Sequence, residues 1–406
     1  MRDEREGSPG RHPLHEQMEW WWEFYRISWA GGDDYLNPTI RTSPVERTTT
    51  QTDTGSVDVT SRHRSMLYAF PAEEDGDFVW RLRQARYGNF CAPLLRARLG
   101  HVMSGEVRRV TPAEFGPYLA DVDGSGLDRD AWMRLSGTQS QAYGHVFVLT
   151  EIPSVPTQPR SAAEARSLGQ RVYSTIFSPI DVPNWAIDER GALLWIVLRY
   201  QPTAESSPFG GQRNVLRRYR VWYRDRWEEW ASEGEDQGGP PTFTGLSGPN
   251  PIGRVPVDIL YNARDVGRYP HPIGLSALTG IAEDNRAHFN FTSLLDQQIY
   301  EQTFASLAVP AQSPEMLKKM VVSVKRVIGF HKDGGPPVYV APPEGPTRIL
   351  MENIDKLEQR MRAMANLSRG VAEQSIAARS GDALAVEAAD KFSDLRTLRA
   401  AMQAFR

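Results

Sequence analysis

Between Gly280 and Pro310 the chain reads IAEDNRAHFNFTSLLDQQIYEQTFASLAV, with no internal glycine or proline to break it. That stretch predicts one helix over residues 276–307, about 48 Å long at about 1.5 Å per residue. A second helical signal follows. Leu350, Ile354, Leu357, Met361 and Met364 recur at spacings of 4, 3, 4 and 3. Continued by Ser368 and Val371, they form a narrow apolar seam that requires a helical neighbour. Between the two helices lies a compact segment with a strand-like KRVIGF at 325–330 and a proline-bounded PVYVA at 337–341. A third helical pattern runs from Asp382 to Arg406, with Ala388, Phe392, Leu395, Leu398, Met402 and Phe405 on one face. A polar stretch, RGVAEQSIAARSG at 369–381, separates it from the second helix.

The 406 residues, 40% of them apolar, suffice for one large core or two to three smaller ones. No apolar run is long enough for a membrane-spanning helix. The start, MRDEREGSPGRHPLHEQ, carries charge where a signal peptide needs an apolar segment, so cytoplasmic synthesis without export is expected. The single cysteine, Cys91, can form no internal disulfide and reads as a buried, inert thiol. A net charge of −3 argues against a repressor-type DNA binder, which needs many uncompensated phosphate contacts. It leaves room for a protein past which DNA slides. The first lysine in the chain is Lys318, and Lys318, Lys319, Lys325 and Lys332 fall close together. They mark either a coding bias toward arginine elsewhere or a basic contact surface.

Residues 1–17 read as a disordered lead and 41–61 as a mobile polar loop. Between them, MEWWWEFYRISW at 18–29 predicts a helix docked on a core through its aromatic rings. Apolar residues from Phe78 to Val102, with arginines between them, predict an amphipathic helical region broken near Gly88 and Pro93. Residues 111–141 are helical in parts, and 162–176 read as a short helix. Strands are predicted at 143–152, 193–200 and 219–223, the last forming a hairpin with 227–231, and at 255–261. Pro/Gly punctuation over 238–253 closes this β-rich middle.

Catalytic and metal motifs are weak. DVDGSGLDRDAW at 121–132 resembles a calcium loop through Asp121, Asp123, Ser125 and Gly126, but Trp132 stands where calcium needs a bidentate Glu. An Asp/Gly-rich turn capping a helix is the better reading. The histidines are scattered, and no Gly-Lys dipeptide exists for a phosphate loop. Glu228 and Glu229, beside Trp222, Trp227 and Trp230, suggest a sugar cleft, yet neighbouring strand residues point to opposite faces. The arginine-rich 81–98 segment could touch nucleic acid, although arginines on the wet side of a helix are the usual case.

Taken in order, the segments resemble the portal, or head-to-tail connector, proteins of tailed bacteriophages. The matching stretches are the aromatic opening followed by YLNP at 35–38, RLRQARYGNFCAPLL at 81–95, and YGHVFVLTEIP at 143–153. FSPIDVPNW at 177–185, NPIGRVPVDIL at 250–260, GLSAL at 274–278 and SGDALAVEAADKF at 380–392 complete the set. No single stretch decides the matter; the order carries it. The resemblance implies an α+β, portal-like fold: a mixed α/β wing over 18–270, a first stem helix within 271–307, a small α/β clip over 308–349, and a second stem helix over 350–370. A tunnel loop and a tunnel or wing helix would follow over 371–406.

It further implies a non-enzymatic ring of about twelve copies at one capsid vertex of the virion, assembled in the host cytoplasm without membrane contact. The ring would be the channel for packaging and ejecting double-stranded DNA without sequence preference. No cofactor is implied. The implied partners are the major capsid and scaffolding proteins, the terminase large subunit and a head-to-tail adaptor. Lys318, Lys319, Lys325, Arg326 and Lys332 would dock partners from the clip, while Arg369, Gln374 and Arg379 would belong to the tunnel loop. Glu283, Asp284, Arg286, Asp296 and Glu301 would give the first stem helix a wall of mixed sign. Many portals add a helical crown beyond this point, so a crownless version and a shortened product are both open. Two readings from other classes remain: a hydrolase using the acidic, Trp-rich segment 219–230, and an adaptor that binds helices through the seam from Ile354 to Met364.

Overall fold

The computed structural model describes residues 10–36, 66–69, 75–103, 111–152, 170–200, 216–233, 241–303, 306–308, 338–340 and 344–364, with the single residues 38, 73, 161, 164 and 402. Helix α1 (Pro13–Ala30) starts with proline at its first position, where the missing N–H is no loss, and His12 Nδ1 accepts from Leu14 N at 3.1 Å. It stops at Gly31, whose φ of 67° suits glycine. Trp22 is buried in one apolar cluster, and Phe24, Tyr25 and Ile27 in another, so α1 is the wall between two cores. Residues 13–17 are therefore the start of α1 rather than a disordered lead. His15 is buried there, with Nε2 3.3 Å from the carbonyl of Ile180.

The arginine-rich region divides as expected into α2 (Asp75–Gln84) and α3 (Cys91–Val102). The break falls over residues 85–90, and Pro93 sits harmlessly in the first turn of α3. Cys91 is fully buried, and burial pushes its thiol up to about 12. Helix α4 (Arg129–Tyr143) is capped by Asp128, whose Oδ1 accepts from Ala131 N at 2.8 Å. It ends at Gly144, with φ of 94°, and the backbone there lies against that of Gly274. A methyl group on either glycine would collide with the other's carbonyl, so helix can pass directly into strand only because both lack a side chain.

The strand that follows, β1 (His145–Glu151), is the centre of a three-stranded antiparallel sheet between β2 (Tyr173–Phe177) and β8 (Val257–Tyr261). A five-stranded antiparallel meander runs β3 (Asn184–Ile187), β4 (Leu193–Tyr200), β5 (Leu216–Tyr223), β6 (Arg226–Glu233) and β7 (Thr242–Pro249). Two expectations change here. Residues 173–177 are strand rather than the end of a helix, because Tyr173 to Phe177 pair along β1 from Glu151 to Phe147. The glycine- and proline-punctuated stretch contains β7, an edge strand whose few apolar side chains hid it from a periodicity test.

The two sheets meet at Arg220 on β5. Its Nη1 donates to Glu151 Oε2 at 2.6 Å, and its guanidinium lies 5.1 Å from the ring of Tyr200 and 4.8 Å from that of Trp227. Tyr173 Oη donates to the other Glu151 oxygen at 2.8 Å. The core shared by the sheets, α1 and α4 also takes in Met402, from the segment expected to be a third helix. The second core gathers α1, α2, α3 and the start of the long helix. Mixed helices and antiparallel sheets make this an α+β protein.

His15 and His145 tie α1 and β1 into the body as neutral rings. Burial lowers their pKa values to about 4 and about 3, against 6.5 when unfolded. The unfolded chain thus binds the extra protons as pH falls through 6.5, and stability falls with it. Between pH 7 and pH 5 each histidine should remove about 2 kcal/mol, at about 1.4 kcal/mol per pH unit. Urea unfolding at the two pH values checks this, and a stability that rises toward pH 5 would refute it.

Candidate assembly surface

The long helix, α5 (Ile281–Thr303), is preceded by Gly280, whose φ of 78° starts the helix later than expected. It also ends earlier, because residues 306–308 form strand β9, paired with β10 (Val338–Val340). At about 1.5 Å per residue it is about 35 Å long. Helix α6 (Glu344–Met364) begins six residues before the expected Leu350. It lies antiparallel to α5, since Gly280 is against Met364, and Asp284 and His288 are against Arg360 and Glu358. The expected seam faces the neighbour it required: Met361 is completely buried, and Leu350, Ile354, Leu357 and Met364 are half-buried.

The first half of α5 is enclosed, and mostly by polar side chains. Asp284 pairs with Arg360 Nε at 2.7 Å; burial raises its carboxyl pKa and the arginine opposes that. His288 Nε2 sits 3.4 Å from Glu358 Oε1, and Glu358 also accepts from Arg362 at 3.0 Å. Burial holds the imidazole below its ordinary range, against the pull of Glu358. On the opposite side, Asn290 accepts from Tyr68 N at 2.7 Å and donates to the Met66 carbonyl at 3.1 Å. Arg286 Nε donates to the same carbonyl at 3.3 Å, and its guanidinium covers the Tyr68 ring at 4.5 Å. Arg81 of α2 completes the grip with a buried pair to Glu73 at 2.7 Å and a bond to the Tyr68 carbonyl at 2.6 Å.

Past Ser293 the enclosure ends. Asp296, Ile299 and Tyr300 are exposed on α5, with Trp80 of α2 resting 5.1 Å from the Tyr300 ring. On α6, Ile349 and Met351 are 56% and 53% exposed. The helix pair is thus buried at one end and exposes several apolar side chains toward the other. The sequence expectation of a mixed-sign wall from Glu283 to Glu301 needs correcting. Asp284 and Arg286 are buried in the base because α6 and residues 66–68 cover them, Glu283 is half-buried, Asp296 is exposed, and the side chain of Glu301 lies outside the described residues.

Lys318, Lys319, Lys325, Arg326 and Lys332 lie outside the described residues, as do Arg369, Gln374 and Arg379. The remaining candidates are placed. Asp121 Oδ1 accepts from Gly126 N at 2.9 Å, Asp123 Oδ1 accepts from Ser125 N and Leu127 N, and Arg171 pairs with Asp121, so the loop's carboxylates are spent on its own turn. Among the described residues no group of three or more His, Cys, Asp or Glu converges as a metal site would, and no helix is long and apolar enough to cross a membrane. Glu228 and Glu229 do point to opposite faces. Glu228 accepts from Arg226 at 2.9 Å, while Glu229 is buried 3.9 Å from Arg220. Of the arginines in 81–98, Arg81 and Arg98 are buried, and Arg83, Arg86 and Arg96 are exposed.

No protein-family model matches the chain, and no curated protein is similar to it. The polar locks at the base were not singled out from sequence. Their signal is faint: Asp284 and His288, four residues apart, share the face toward α6, and Arg286, Asn290 and Ser293, at spacings of four and three, share the opposite face.

Met361 anchors α6 on the base of α5. Met361→Ala should cost about 2–4 kcal/mol and speed amide hydrogen exchange across 344–364, leaving 145–149 unchanged. Equal protection of α6 in the variant would show that the seam does not hold the pair.

Proposed function

We propose that this chain is a portal-like protein, assembling into a ring whose channel passes double-stranded DNA into and out of a viral capsid. One observation carries the reading: an antiparallel helix pair is locked into a mixed α/β body at one end, and the paired strands β9 and β10 follow the first helix and precede the second in the chain. In the sequence, residues 309–337 fall between the two paired strands, where the proposal places most of the clip. Exposed apolar residues on the free half are consistent with burial against neighbouring copies. Energy for packaging would come from a separate terminase, and the ring would contribute the conduit and the docking site. The finer portal features, from the number of copies to the tunnel loop at Arg369, Gln374 and Arg379, belong to this proposal.

Negative-stain microscopy and native mass of the purified chain test it. Closed rings of about twelve copies with an axial channel are expected, and a monomer at every concentration would refute it. On the same reading, charge reversal of Lys318, Lys319 and Lys325 together should weaken binding of the terminase large subunit or the head-to-tail adaptor about tenfold or more and leave the rings intact. Unchanged docking would remove the clip lysines from the partner surface.

A further inference from the structure

His12 is held by three parts of the chain that are far apart in sequence. Its ring stacks on Trp185 of β3, with centroids 4.1 Å apart and planes 12° from parallel, and His271 approaches it edge-on at 5.1 Å. Its Nδ1 accepts from Leu14 N at 3.1 Å, which caps α1, and its backbone N donates to the Pro183 carbonyl at 3.0 Å. Asn184 Nδ2 donates to the carbonyl of Gly10, so residues 10–12 are pinned along the start of β3. An Nδ1 that accepts a hydrogen bond carries no proton, so the ring is neutral with its proton on Nε2. A second proton can enter only at Nδ1, where it meets the Leu14 N–H and ends the cap.

The resulting charge is poorly placed. It stands at the N-terminus of α1, whose dipole opposes a cation, and burial and His271 both weaken the hold of His12 on the proton. The carboxylates around the site are already matched: Glu19 with Arg11, Asp181 with Arg199, Asp265 with Arg268, and Asp188 with Arg224 on the turn that Pro270 touches at Gly191. Glu16, Glu189 and Arg190 are exposed, and His15 is buried, with Arg11 and Arg199 adding to burial against its proton. Stacking on Trp185 alone favours a cation; the lost cap, the dipole and His271 act together against it. We propose that residues 10–12 and the first turn of α1 form an acid-opened latch: a proton on His12 breaks the cap at Leu14 and lifts the ring off Trp185. The closed latch binds one proton fewer than the open one, so opening is suppressed above about pH 6.5 and grows as pH falls below it. The device needs only one copy of the chain, so it stands apart from the ring reading.

Amide hydrogen exchange of the full-length chain at about pH 7.5 and about pH 5.5, corrected for the intrinsic rate at each, tests the latch. Protection over residues 14–17 should fall about tenfold between the two, since one linked proton shifts an opening equilibrium by at most about tenfold per pH unit. His12→Asn keeps a capping side chain without a titrating ring, and protection there should fall by less than about twofold. Residues 145–149 of that variant should keep the parent's response to pH. His271→Gln leaves the cap and the stack in place and should reduce the fall to about threefold. Equal protection of the parent chain at both pH values would overturn the latch. So would the parent's full response in both variants, which would place the proton sensor at His15 instead.

Discussion

The side-chain amide of Asn290 treats the peptide from Met66 to Tyr68 as a neighbouring strand would, accepting from one backbone N–H and donating to one carbonyl. It sits in the enclosed half of α5, where Asp284, Asn285, Arg286, His288, Asn290 and Ser293 are all nearly inaccessible to water. Burying so much polarity is expensive unless the groups are paired, and a slip of one residue along the helix would separate several of these pairs at once. An apolar base would tolerate sliding and rotation. The polar one fixes the register of α5 against residues 66–68 on one side and α6 on the other, and that fixes the direction in which both helices leave the body. The buried Arg81–Glu73 pair belongs to the same device, because it holds the Tyr68 carbonyl from the α2 side. Such a pair contributes more to specificity than to net stability, since desolvation offsets most of its attraction.

Elements with strong periodicity were legible before the structure. The docked aromatic helix, the division of 78–102, the hairpin of β5 and β6, the buried β1 and the seam from Leu350 to Met364 all follow from apolar spacing alone. Those readings fail where a different interaction sets the boundary. The long helix is shortened at its start by the left-handed backbone of Gly280 and at its end by pairing of 306–308 with 338–340, a contact across thirty residues that no local window contains. The β7 strand, TFTGLSGP, has its first six residues open to solvent in succession, so no alternation marks it; its ladder with β6 makes it a strand. His15 looked like part of a polar lead because its burial depends on Ile180, far away in sequence.

Less of the candidate surface could be read. Charged residues in a helix are ordinarily taken as its wet face, and by that rule Asp284 and Arg286 would line a wall. Their burial becomes visible only when α6 and residues 66–68 are in place, because each partner comes from a segment seventy or more residues away in the chain: Arg360 and Glu358 on one side, Met66 and Tyr68 on the other. The seam itself signalled a neighbour without naming it. That the neighbour is α5 depends on Gly280 allowing Met364 to approach, and on the Asp284–Arg360 and His288–Glu358 contacts setting the pairing antiparallel.

Removing Asp284 and Arg286 from the wall changes what the free half of the helix pair presents. Among the described residues the charges there are Asp296 and the Arg348–Glu352 pair, a sparse set with both signs represented. A surface that grips a polyanion needs many cations without nearby acids, because each bound phosphate adds to affinity through released counterions. Among the described residues this one has few, and it also exposes the large apolar side chains of Ile349, Met351, Ile299 and Tyr300. Apolar area of that kind gains most from a protein neighbour of matching shape. On the proposed ring reading, a chain that fixes the direction of two helices with costly buried polar contacts, and exposes apolar side chains on their outer half, would have its fold finished by association. A rigid base would serve that end, since a helix pair held in one direction would present the same face in every copy and lose little freedom when the copies met.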